Sequence, residues 1–68
     1  DEINLFVTGK EATVNLTVFN SNGFVVFSKE HQNTNENITF GSDLQPGIYY
    51  VQIIEEKQVR TLKLLKTK

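Results

Sequence analysis

The chain is 68 residues long, has a formal net charge of −1 and contains no cysteine. Disulfides and thiolate metal sites are thereby excluded as sources of stability, as is a global electrostatic reason to bind nucleic acid. A domain of this length buries only about 60% of the surface its unfolded chain exposes, so one small core is expected.

Apolar residues recur at period two, not 3.6, and only one proline is present. Ile3, Leu5 and Val7 alternate with polar or outward positions, which predicts a short strand over Ile3–Thr8. Thr8-Gly9-Lys10-Glu11 is a polar turn. Thr13–Phe19 places Val14, Leu16 and Val18 on one face of a β-branched strand. Asn20-Ser21-Asn22-Gly23 is the strongest hairpin signal, because Asn and Gly tolerate the positive φ of tight turns. Phe24–Glu30 is the returning strand, with Val25 and Phe27 expected beside Leu16 and Val18. Phe19, Phe24 and Val26 then fall on the opposite face, as an apolar patch or under a second sheet.

His31–Asn37 is polar and Asn-rich and is expected to be a loop or a frayed edge. Glu36–Phe40 offers Ile38 and Phe40 as a short strand, and Gly41-Ser42-Asp43 as a turn after it. In Leu44-Gln45-Pro46-Gly47 the Pro-Gly pair is placed for a type II turn. Ile48–Ile54 is apolar on both faces and predicts a central strand. Glu55-Glu56-Lys57-Gln58 closes a second hairpin, and Val59–Lys66 is the last strand. Six or seven strands at this spacing, with no helical pattern, predict a small Ig-like antiparallel β-sandwich formed by residues 1–68 as one all-β domain.

Charge is uneven. Five of the seven basic residues, Lys57, Arg60, Lys63, Lys66 and Lys68, fall in the last twelve positions, whereas seven of the eight acids precede Glu56. No apolar run is long enough for a membrane-spanning helix. Asp1 and Glu2 are acidic where a secretory leader is basic, and methionine is absent. These features are expected of a piece of a longer precursor.

The second half carries a family resemblance. Asp43-Leu44-Gln45-Pro46-Gly47-Ile48-Tyr49-Tyr50-Val51-Gln52-Ile53 is followed by a basic ending, Thr61-Leu62-Lys63-Leu64-Leu65-Lys66. This resembles the C-terminal sorting domain of proteins exported by the bacterial type IX secretion system, in its type A form found in Bacteroidota. Leu44, Gly47, Tyr49, Val51 and Ile53 match that family's Leu-Pro-x-Gly-x-Tyr-like block, and Lys63, Leu64 and Lys66 match its terminal strand. The Val18…Gly23 hairpin matches more loosely. The resemblance spans about residues 14–68. The Tyr-Pro-Asn-Pro element that usually opens the domain is missing, and Pro46 sits one place later than the common spacing.

The resemblance implies a β-sandwich at the end of a secreted cargo, with the cargo preceding residue 1. It implies passage through the periplasm and across the outer membrane, reading by translocon and shuttle proteins, and removal by a sortase-like surface protease at or before Asp1. No cofactor and no catalytic residue are implied.

Each candidate residue has a plainer reading too. Leu44 and Tyr49, flanking Pro46-Gly47, resemble a corner plug whose hydroxyl finds a backbone partner. Gly23 and Gly47 need only turn geometry. The basic ending with Lys63, Leu64, Leu65, Lys66 and Lys68 is either a solvated edge protected by lysines or a strand presented to a partner by edge pairing and charge. An unpaired terminal strand also permits a weak dimer. His31 lacks a second histidine and reads as a surface residue. Glu55 and Glu56 are adjacent, so a strand would send them to opposite faces rather than into a catalytic pair. Asp43 and Ser42 supply too few oxygens for calcium. Asn15-Leu16-Thr17 and Asn37-Ile38-Thr39 are formal glycosylation sequons that a bacterial product would leave unused. The competing functional classes are an adhesive or carbohydrate-binding module using Phe19 and Phe24, and a passive spacer beside a catalytic domain.

Overall fold

The computed structural model describes residues 2–67. Six strands account for the regular structure there: β1 (Ile3–Val7), β2 (Thr13–Asn20), β3 (Val25–Asn33), β4 (Glu36–Phe40), β5 (Gly47–Ile54) and β6 (Val59–Lys66). Every pairing is antiparallel. A two-stranded sheet, β1-β4, covers a four-stranded sheet of order β3-β2-β5-β6. The fold is the expected small all-β sandwich, and no helix of the described residues is long and apolar enough to cross a membrane.

Alternation builds the core. Val14, Leu16 and Val18 of β2 and Tyr49, Val51 and Ile53 of β5 point from the larger sheet toward Leu5, Val7, Ile38 and Phe40 of the smaller one. Leu16, Val7, Val18 and Val51 are fully enclosed. Each such side chain contributes about 1.5–3 kcal/mol through burial. Phe27 and Phe40 stack with centroids 4.6 Å apart and ring planes 15° apart, which ties β3 to β4 across the layers. β5 lies between β2 and β6, the central position its composition predicts.

The hairpin joining β2 and β3 departs from expectation in one respect. Asn20 accepts the amides of Asn22 and Phe24 on its Oδ1, both at 3.0 Å, and Gly23 adopts a φ of +87°. Val18 lies opposite Phe27, yet Phe19 lies opposite Val25, so Val26 is an extra residue in a β-bulge. The bulge reverses the parity of the strand start. Val25, expected inside, is 56% exposed, and Val26, expected outside, packs against the core. Phe24 remains exposed at the turn.

The polar stretch after Glu30 is also corrected. β3 continues to Asn33, with Gln32 opposite Val14 and buried. The register slips once more between Leu16↔Lys29 and Val14↔Gln32. There His31 takes a φ of +57° and donates its amide to Asn15 Oδ1 at 3.0 Å. The chain then crosses to the other layer through Thr34 and Asn35. The Asn35 amide donates to Val7 O at 2.6 Å, and the Thr34 hydroxyl donates to Glu11 O at 2.6 Å.

The Pro46-Gly47 segment is not a type II turn. That turn requires a φ of about +80° at its third residue, whereas Gly47 has +156° and already pairs with Lys66. The hydrogen-bonded turn lies earlier, where the Leu44 amide donates to Gly41 O at 3.0 Å and Gly41 has a φ of +83°.

Candidate functional site

β6 is one edge of the four-stranded sheet and pairs only with β5 among the described residues. Its register runs unbroken from Gly47↔Lys66 to Ile54↔Val59. Because paired residues share a face, Arg60, Leu62, Leu64 and Lys66 lie on the core side, opposite Ile53, Val51, Tyr49 and Gly47. Val59, Thr61, Lys63 and Leu65 lie on the outer side, opposite Ile54, Gln52, Tyr50 and Ile48.

The five terminal recognition candidates therefore separate. Lys63 and Leu65 are exposed, Leu65 at 72%. Leu64 packs against the core. Lys66, expected in a solvated or presented tail, is buried, with 6% exposure. Its ammonium donates to the carbonyls of Gly41 and Leu44. The correction has a simple cause: the parity that carries Leu64 inward carries Lys66 inward too, and the loop before β5 supplies two carbonyls to satisfy it. Lys68 lies outside the described residues.

The loop motif and the basic strand thus form one construction. Gly41 and Leu44 shape the turn whose carbonyls receive Lys66. A Cβ on Gly41 would stand 3.1 Å from Leu44 Cδ1 and 3.3 Å from Ile3 Cδ1. Two residues beyond Gly47, Tyr49 is buried and donates its hydroxyl to Gln45 O at 2.6 Å, which closes the corner around exposed Pro46. Val51 and Ile53 continue the same face into the core, while Gly23 serves the distant hairpin.

Arg60, expected with Lys63 and Lys66 to keep part of the last strand wet, is instead an anchor on its core side. Its Nη2 donates to Thr8 O at 2.8 Å, and its Nε lies 3.4 Å from Glu55 Oε2 without hydrogen-bonding geometry. Glu55 also accepts Gln58 Nε2 at 2.7 Å, so this carboxylate organises the β5–β6 hairpin. β6 is consequently fastened near each end by an inward cation bonded to a carbonyl outside its own sheet. The available signal was parity: Arg60 and Lys66 are six residues apart and share a face with Leu62 and Leu64.

The family described as secretion system C-terminal sorting domain matches residues 1–67. The match includes β1, ahead of the residues that carry the resemblance. No curated protein and no solved structure matches the chain. The chain belongs to the secretion system C-terminal sorting domain family, and it is a sorting signal of type IX secretion cargo, which marks attached proteins for export to the cell surface or beyond.

Proposed function

We propose that residues 1–68 act as one module following a cargo, and that the machinery reads this module through β6. The single observation carrying this reading is the division of β6 into anchors and presented groups. Arg60, Leu64 and Lys66 hold the strand to the sandwich, while Lys63 and Leu65 stand free on its outer side. A translocon or shuttle protein would meet one cation and one large apolar side chain at fixed spacing. A sortase-like protease then removes the module.

The test is a fusion of a periplasmic reporter ahead of the chain in a type IX-competent strain. Deleting Thr61–Lys68 should abolish surface delivery, and undiminished delivery would refute the role of the strand. That deletion also removes Leu64 and Lys66 from the packing, so Lys63→Glu with Leu65→Asp is the sharper variant. It should stop delivery while leaving the melting temperature of the isolated chain nearly unchanged.

A further inference from the structure

The four-stranded sheet has two open edges, and they are built differently. β3 is bulged at Val26 and again around Glu30 and His31. Bulges twist an edge away from a straight partner. Lys29 lies opposite Leu16, on the core side of this edge, and it is exposed. A strand added there would have to bury an unpaired ammonium.

β6 carries neither protection. It has no bulge over its eight residues. Leu62 lies on the core side opposite Val51, yet Leu62 is 41% exposed where Val51 is 0% exposed. The two-stranded layer stops short of it. The inward cations of β6 are already engaged with Thr8, Gly41 and Leu44, so neither stands in the path of a neighbouring strand. Near its end the strand borders a groove of about 260 Å³ shared with Ile3 and Asn4 of β1.

We propose that the free edge of β6 accepts an extended acidic segment of a partner protein as a seventh strand. Its inward side chains are apolar and cover Leu62, and its outward side carries a carboxylate across from Lys63. This deepens the reading of β6 as the recognised strand and rests on it. Charge selects the occupant. β6 contains Arg60, Lys63 and Lys66 and no acid, so a second copy of β6 brings no carboxylate to Lys63. The one ion pair among the described residues, Arg60–Glu55, leaves Lys63 to an incoming group.

The experiment titrates the isotopically labelled 68-residue chain with two peptides, one alternating valine and glutamate and one alternating valine and lysine. The glutamate peptide should perturb and protect β6 amides and leave β3 amides unchanged. Lys63→Glu should reverse the preference between the two peptides by roughly tenfold in each direction. Leu62→Lys, which copies the guard at Lys29, should abolish binding of both peptides with circular dichroism unchanged. Binding of neither peptide to the parent chain, or perturbation confined to Phe19 and Tyr50 on the sheet face, overturns strand addition. Self-association of the chain through β6 in sedimentation overturns the choice of occupant. The export assay separates the two levels. If Lys63→Glu loses the peptide but still delivers cargo, β6 is not the strand that the machinery reads. If Lys63→Glu stops delivery while the parent binds neither peptide, strand addition alone falls.

Discussion

The ammonium of Lys66 and the carbonyl of Gly41, 25 residues apart in sequence, are hydrogen-bonded inside the sandwich. A second bond to Leu44 O makes the contact a clamp between the last strand and the turn after β4. Charged hydrogen bonds of this kind are each worth about 1.5–3 kcal/mol.

Replacing Lys66 with Met keeps the aliphatic stem and removes both bonds. The expected loss is about 2–4 kcal/mol, because two charged hydrogen bonds disappear, Leu44 O loses a donor and Gly41 O keeps the Leu44 amide. Urea denaturation of the Lys66→Met chain measures it. An unchanged midpoint would show that the lysine is merely covered and not clamping.

Tyr49→Phe isolates the corner hydroxyl. The ring volume stays, and Gln45 O loses a donor at 2.6 Å. A loss of about 0.5–1.5 kcal/mol is expected, with an unchanged denaturant slope. A loss near zero would mean that water replaces the hydroxyl at this corner.

Much of this was legible. Period-two alternation located all six strands, and the Leu44-x-Pro46-Gly47-x-Tyr49 spacing pointed to a corner with a bonded hydroxyl. Two of the misses lie in β3. An edge strand need not alternate, since one of its sides is wet, so His31–Asn33 looked like part of a loop or a frayed edge. The bulge at Val26 inserts one residue and inverts the facing of Val25, and no residue type at that position announces it. Lys66 was legible in parity and misread through its charge. Lysines usually sit in water, and only the two carbonyls in the neighbouring loop make its burial tolerable.

Leu16→Ala tests the thin margin of a core this small. Leu16 is 1% exposed, and leucine truncations in cores cost about 2–5 kcal/mol. A single core near this size supplies roughly 3–5 kcal/mol in total. The variant should be largely unfolded at room temperature by circular dichroism. Leu65→Ala, at a site 72% exposed, should melt within a few degrees of the parent. Equal effects at the two sites would contradict the assignment of faces on β2 and β6.

Two glycines with similar φ should respond differently to alanine. Gly23 has a φ of +87° and nothing within 4 Å of an added Cβ, so Gly23→Ala meets only the left-handed backbone penalty of about 1–2 kcal/mol. Gly41 has a φ of +83°, and its added Cβ would crowd Leu44 and Ile3. Gly41→Ala should therefore cost more than Gly23→Ala, by about 1 kcal/mol or above. Thermal melts of the pair decide it, and equal costs would show that the Gly41 turn relaxes freely.

Glu2, Ile3 and Asn4 share one groove with Leu65, Lys66 and Thr67. A polypeptide joined ahead of Ile3 therefore emerges beside the finish of the last strand. A bulky neighbour tethered there on too short a leash would cast a steric shadow over Leu65. On the proposed reading of β6, a longer spacer should then restore pick-up of a passenger that a short one blocks.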